Sequence, residues 1–232
     1  MPVVLTPGYM LDADLWTDIA PAFAPYGPVS QADVTRDGTI EAMAERLLDE
    51  APDRFVLIGF SMGGYVAREA VRRAPERVSA LALIATSARG DNHIQAARRA
   101  AVAGQMKTEA FKGLSLAAVA ASLAPGAAPA LAERVRKMSA RLGYEVFRRQ
   151  SALVRDGDVG RLGEIACPTL VVAAAQDQLR SLAEAEQLRD GIPGARLAVI
   201  EGSGHMIPLE AAGALSRLLA DWLAEVASEF RT

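Results

Sequence analysis

Cysteine is almost missing from this chain: Cys167 stands alone among 232 residues. One thiol cannot form an intrachain disulfide, and a cysteine metal cluster is excluded with it. Cys167 opens an apolar stretch in Ile165-Ala166-Cys167-Pro168-Thr169, where a small buried residue is expected rather than a reactive thiol. Histidine is nearly as scarce, with only His93 and His205 available as a base. Positive charge is not in excess. The formal net charge is -3, which leaves no basic footprint for nucleic acid and no strong field to steer a charged ligand. No run of residues is a convincing membrane span. The longest uncharged stretch, Gly113 to Ala132, is mostly alanine and is interrupted by Pro125, Gly126 and Pro129. A charged segment followed by an apolar run is missing at the N-terminus, where strand-like Val3-Val4-Leu5 begins almost at once. No signal peptide is therefore expected, and the expected location is the cytoplasm.

What is present is a large apolar fraction, 51% of residues, in a chain of one-domain length. Short apolar runs alternate with amphipathic ones. Strands are expected at 2–6, 29–34, 55–58, 78–85, 169–174 and 195–200. Helices are expected across Leu15, Ile19 and Phe23, after Thr39, from the residue after Ser61 to about Arg73, over 182–189, and from Pro208 through Leu215, Leu219 and Trp222. Strands apolar throughout and alternating with helices predict a parallel sheet covered on both faces. From about Ser87 to Gly160 the texture is Ala- and Arg-rich without strands, with helices expected at 93–106, 108–111, 116–123 and 129–153. The expected organisation is a core of residues 1–86 and 161–232, with a helical insertion at 87–160.

The strongest local signal is Phe55-Val56-Leu57-Ile58-Gly59-Phe60-Ser61-Met62-Gly63-Gly64. A β-branched run enters Gly-x-Ser-x-Gly and a helical pattern follows at once. Such a turn holds a serine at strained backbone angles and lifts its Oγ clear of the sheet. A serine hydroxyl needs an adjacent base. His205, between Gly204 and Met206 after the last strand, sits at the same sheet rim; His93 opens the insertion beside Asp91 and Asn92 and reads as a solvated or capping residue. An acid that orients the base belongs at that rim too. Asp177 follows the strand at 169–174, and Asp91 is the alternative.

The order Ser61, Asp177, His205 resembles that of the α/β-hydrolase superfamily, in particular its small bacterial esterase-like members with a helical cap. The resemblance is carried by Pro7-Gly8-Tyr9 with Trp16, by Gly59 to Gly63, by Ile165 to Val172, and by Gly204-His205-Met206-Ile207-Pro208-Leu209-Glu210. It implies a mostly parallel sheet of about six strands lacking the family's first two, since the chain starts at the strand that is usually third. It also implies an oxyanion hole of the Tyr9 and Met62 backbone N–H groups, no metal or organic cofactor, and a small-molecule substrate. The chain departs from the pattern at Pro7, where many relatives have histidine, at Ala174, where they have glycine, and at Ser181, where they have proline. The implied reaction is hydrolysis of a carboxylic ester of small or medium acyl size. The same triad also serves C–C hydrolases, lactonases and perhydrolases, and the fold serves non-catalytic receptors. In the insertion, Leu114, Leu116, Val119, Leu123, Leu131 and Val135 are candidates to line a pocket or to pack onto the core. Arg134, Arg136, Arg141, Arg148, Arg149 and Arg155 offer either a carboxylate anchor or solvated salt bridges. Nothing in the sequence sets the oligomeric state.

Overall fold

The computed structural model describes residues 1–105 and 108–229. Six strands, β1 (Val3–Thr6), β2 (Val29–Gln31), β3 (Phe55–Phe60), β4 (Val78–Ile84), β5 (Thr169–Ala174) and β6 (Arg196–Ile200), form one sheet in the order β2-β1-β3-β4-β5-β6. Every neighbouring pair is parallel. β1, β3, β4 and β5 are buried along their whole length, which is why they read as mostly apolar runs. Their alternate side chains feed two cores. Val3, Leu5, Val56 and Ile58 pack on one face with Trp16, Leu219 and Trp222; Val4, Leu57, Leu81 and Val171 pack on the other with Met43, Val66 and Leu188.

Helices α1 (Ile40–Glu50) and α2 (Met62–Arg73) follow β2 and β3. Thr39 caps α1 by accepting the Ala42 N–H. Between β4 and β5 the chain runs through α3 (His93–Gln105), α4 (Leu116–Ser122) and α5 (Pro129–Ala152), and α6 (Leu182–Gly191), α7 (Ile207–Glu210) and α8 (Ala212–Glu229) complete the fold. Of the helix expected at 93–106, residues 93–105 are helical, and Met106 lies outside the described residues. α5 is kinked at Gly143, whose φ of 78° takes it out of helical geometry. The segment between β4 and β5 leaves and rejoins the core side by side. Asp158 N–H donates to Ala88, Asp91 N–H donates to the Arg155 carbonyl, and Gly90 and Gly157 touch so closely that a Cβ on either would fall within 2.8 Å of the other's backbone.

Four expectations need correction. The helix expected at 108–111 is a single 3-10 turn, Thr108–Ala110. The helix expected across Leu15 to Phe23 is two 3-10 turns, Ala13–Trp16 and Ala20–Phe23; Pro21 in the second has no N–H to continue an α-helical ladder. The strand expected at 29–34 stops at Gln31 and is exposed at the sheet edge. The last helix is interrupted at Ala211, which has φ -132°.

Candidate active site

The sheet order reverses between β1 and β3, since β1 leads to β2 on one side and the chain then crosses to build outward on the other. A crevice opens beyond the carboxyl ends of strands at such a point, and ligands of open α/β sheets bind there. The turn after β1, Pro7-Gly8-Tyr9, and the turn after β3, at Ser61, both stand in it.

Ser61 has φ 52° and ψ -113°, a strained conformation for a residue with a side chain. Its surroundings hold it there. The Ser61 N–H donates to the Ile84 carbonyl at 2.9 Å and the Thr86 hydroxyl donates to the Ser61 carbonyl at 2.7 Å. The glycines around it are required by contact. A Cβ on Gly63 would stand 2.2 Å from the Thr6 carbonyl oxygen, one on Gly59 2.6 Å from that of Gly63, and one on Gly64 2.4 Å from the Thr86 hydroxyl. Gly64 thus admits Thr86.

His205 Nε2 lies 2.9 Å from Ser61 Oγ, and His205 Nδ1 lies 2.8 Å from Asp177 Oδ2. The carboxylate at Nδ1 keeps the proton on that nitrogen and leaves Nε2 to accept from the serine hydroxyl. The other oxygen of Asp177 accepts the backbone N–H groups of Leu179 and Arg180 at 2.7 and 3.0 Å, which fixes the carboxylate. The His205 ring packs on Phe60 at 5.2 Å between centroids. The histidine loop is braced by α4. A Cβ on Gly204 would meet the Ala124 nitrogen at 2.4 Å, and the Met206 N–H donates to the Ser122 carbonyl.

Met62 begins α2, so its N–H has no carbonyl one turn back. Neither it nor the Tyr9 N–H donates to a protein acceptor among the described residues. The loop carrying Tyr9 is held from α5. Met10, at φ 56°, donates its N–H to Gln150 Oε1 at 2.8 Å; Gln150 Nε2 donates to the Val34 carbonyl at 3.0 Å; the Tyr9 and Ser151 hydroxyls share a 2.7 Å bond.

The alternative acid, Asp91, is turned to other use, bonding Arg99 and Arg155. Burial alone would raise its carboxyl pKa, but Arg155 and Arg99 bring it below the ordinary value. His93 is exposed at the start of α3. Burial pushes the Cys167 thiol up to about 11, so it stays protonated at neutral pH. Among the described residues no cluster of histidine, cysteine or acidic side chains is arranged to hold a metal.

A cavity of about 380 Å³ opens onto Ser61 and His205. Of the six apolar candidates in the insertion only Leu114 lines it. Val119, Leu123 and Val135 are buried in the core, Leu131 is half-buried against it, and Leu116 is exposed. Of the arginines, Arg155 lines it, whereas Arg134 and Arg141 pair with Asp14 and Asp12. Arg148 and Arg136 pair with glutamates one turn away, and Arg149 donates to the Thr35 carbonyl. Sequence reasoning missed Gln150, Arg99 and Arg180, which also line the cavity. Arg180 had a signal, three residues after the acid candidate; Arg99 and Gln150 had none.

A family model described as the alpha/beta hydrolase fold matches residues 27–212. The chain is 30% identical to the pimeloyl-[acyl-carrier protein] methyl ester esterase of Aromatoleum aromaticum, over 88% of this chain and 90% of that one. It is 37% identical to the protein of the same name from Klebsiella pneumoniae over a shorter stretch, 37% of this chain and 36% of the relative's length. A thermophilic esterase from Thermogutta terrifontis superposes with a TM-score of 0.86 at 26% identity, over 97% of this chain and 90% of that one.

Proposed function

The chain belongs to the α/β-hydrolase family, and from that premise we propose that it is a serine esterase acting on a small or medium acyl ester, with Ser61 as nucleophile, His205 as general base and acid, and Asp177 as the group that orients His205. The observation that carries the reading is the unbroken path from Asp177 through His205 to Ser61, at 2.8 and 2.9 Å. Ser61 transfers its proton to His205 Nε2 as Oγ attacks the ester carbonyl. The tetrahedral oxyanion is stabilised by the N–H groups of Tyr9 and Met62, the latter aided by the positive end of α2. Protonated His205 then gives its proton to the departing alkoxide, leaving an acyl-serine. Water repeats the sequence, losing a proton to His205 and releasing the acid. Residues 87–160 act as a cap that closes the cavity and braces both the Tyr9 and the His205 loops.

The named substrate of the Aromatoleum relative, a methyl ester on an acyl carrier protein, makes methyl esters of acyl chains the first compounds to try. Among the described residues no helix is long and apolar enough to cross a membrane, and the lone thiol suits a reducing compartment; the cytoplasm is the proposed location.

The test is hydrolysis of short nitrophenyl and methyl esters by wild type and Ser61→Ala, together with labelling by a fluorophosphonate. Ser61→Ala should lose about 10⁴ to 10⁶ in kcat. A folded wild type that neither turns over any ester nor takes the label at Ser61 would sink the reading in favour of a receptor.

A further inference from the structure

The formal charges on the wall of the cavity over Ser61 are, histidine aside, all positive: Arg99, Arg155 and Arg180. The acids that face them stand behind the wall. Asp91 bonds both Arg99 and Arg155, and Glu184 lies beside Arg180. With the triad acid Asp177, whose carboxylate accepts the Arg180 N–H, three acids balance these three arginines in formal charge, so the wall is set apart by how far each guanidinium's donors are satisfied. The rest of the lining includes Leu11, Leu114 and Leu153, and such surroundings strengthen a charge's attraction for an opposite charge relative to open water.

The least satisfied of the three guanidiniums is that of Arg180. Arg99 commits its donors to Asp91 and to the Ser151 and Leu153 carbonyls, and Arg155 is forked onto Asp91. Arg180 has five N–H donors and one partner among the described residues, Glu184 Oε1 at 3.5 Å from Nη1, the outer limit of a hydrogen bond. Glu184 itself is engaged elsewhere. Its other oxygen accepts the Ser181 N–H and hydroxyl at 2.8 and 2.9 Å as the capping box of α6. The Arg180 Nε is buried without a partner. The guanidinium is thus anchored by its backbone, whose N–H the triad acid accepts, yet it is weakly satisfied and stands on the wall of the reacting cavity.

We infer that this site takes an ester or lactone carrying an ionised carboxylate elsewhere in the same molecule, and that Arg180 receives that carboxylate. The inference rests on the esterase reading above. Two planar groups meet in a paired hydrogen bond when a guanidinium binds a carboxylate. The cavity volume lies near the small end of the roughly 300–1,000 Å³ range of ligand pockets, so a short diacid monoester would bring its carboxylate to the wall while its ester carbonyl is at Ser61.

The test compares kcat/KM for two charged esters with their neutral matches. Monomethyl adipate against methyl hexanoate puts the charge on the acyl side; the butyrate ester of glycolate against ethyl butyrate puts it on the alcohol side. One charged member should exceed its match by at least about tenfold, the size of one charge-assisted hydrogen bond. Arg180→Gln, checked for a wild-type melting curve, should collapse that ratio, mainly through KM, and Arg180→Lys should restore part of it. Adipate should also slow fluorophosphonate labelling of Ser61 in wild type and not in Arg180→Gln. Equal rates for charged and neutral esters, or an equal fall for both in the variant, overturns the inference and leaves the esterase reading standing. Failure of every ester and of the label overturns both.

Discussion

Gln150 reaches from α5 to the loop that carries one proposed oxyanion donor, and replacing it with leucine tests whether the cap positions the chemistry. A leucine side chain would fill the space but leave the Met10 N–H and the Val34 carbonyl without partners. Both bonds are buried, and Gln150 itself is 2% exposed. Stranding a buried polar group costs about 1–3 kcal/mol, so Gln150→Leu should lose roughly 2–6 kcal/mol out of the ~5–15 that typically hold a domain together. The effect on rate has a separate origin. Met10 sits at φ 56°, which costs about 1–3 kcal/mol and persists only because its surroundings hold it there. Without the Gln150 acceptor the loop relaxes, and the neighbouring Tyr9 N–H moves with it. Loss of an oxyanion donor costs roughly 10²–10³ in kcat. The Tyr9–Ser151 bond still tethers the loop, so a fall of about 10- to 100-fold is expected. Gln150→Glu keeps an acceptor for Met10 and loses the donor to Val34, so it should retain more kcat than Gln150→Leu at comparable loss of stability. Urea titrations and kcat for a neutral nitrophenyl ester separate the two effects. A folded Gln150→Leu protein with kcat within about threefold of wild type, or a Gln150→Glu protein equally slow, would refute the reasoning.

The buried ion pair under the cap makes a second prediction. Arg68 is fully buried and forked onto Asp158, which Arg72 also contacts at 2.8 Å. Asp158→Asn leaves Arg68 without its counter-charge and should cost about 3–5 kcal/mol by urea titration; a loss under about 1 would contradict it. Burial alone would raise the Asp158 carboxyl pKa, but the Arg68 and Arg72 guanidiniums bring it below its ordinary value. A depressed folded pKa contributes stability that is present above the unfolded value of about 3.9 and is lost as pH falls through the folded one. Wild type should therefore weaken as pH drops below about 4, and Asp158→Asn should show a shallower slope there. Gly63→Ala forces a Cβ against the Thr6 and Pro7 carbonyls, at 2.2 and 2.6 Å, so it should abolish activity and lower the melting temperature. Gly160→Ala, which meets nothing within 4 Å, should do neither, and equal behaviour of the two would show that crowding at the elbow is irrelevant.

The parts of the molecule that were legible in the sequence are those fixed by neighbours along the chain. β3 and its turn read clearly because six buried residues lead without a break into Ser61 and α2. Asp177 and His205 read clearly because each follows a strand whose carboxyl end had to reach the same rim. What was not legible depends on contacts across more than a hundred residues. Gln150 meets Met10 from 140 residues away and Arg134 meets Asp14 from 120, and no periodicity marks either. Local chemistry also misled at Leu15 to Phe23, where the apolar spacing matched an α-helix but Pro21 allowed only separate 3-10 turns. Leu116 matched a pocket-lining pattern and is 70% exposed.

The paired backbone at Ala88–Asp91 and Arg155–Asp158 has a consequence for how such proteins diverge. Because the two crossings lie against each other, the helices between them enter and leave the core at one seam, and their exchange would disturb, beyond that seam, the contacts that Gln150, Arg134 and the buried Val119, Leu123 and Val135 make with the core. Such an exchange would replace Arg99, Leu114 and Arg155 on the cavity wall and leave Phe60, Leu179 and Arg180 in place. The strand-borne serine, acid and histidine would be inherited intact, but Gln150 and the brace at Ala124 would have to be rebuilt by any newcomer before its activity matched that of the segment it replaced.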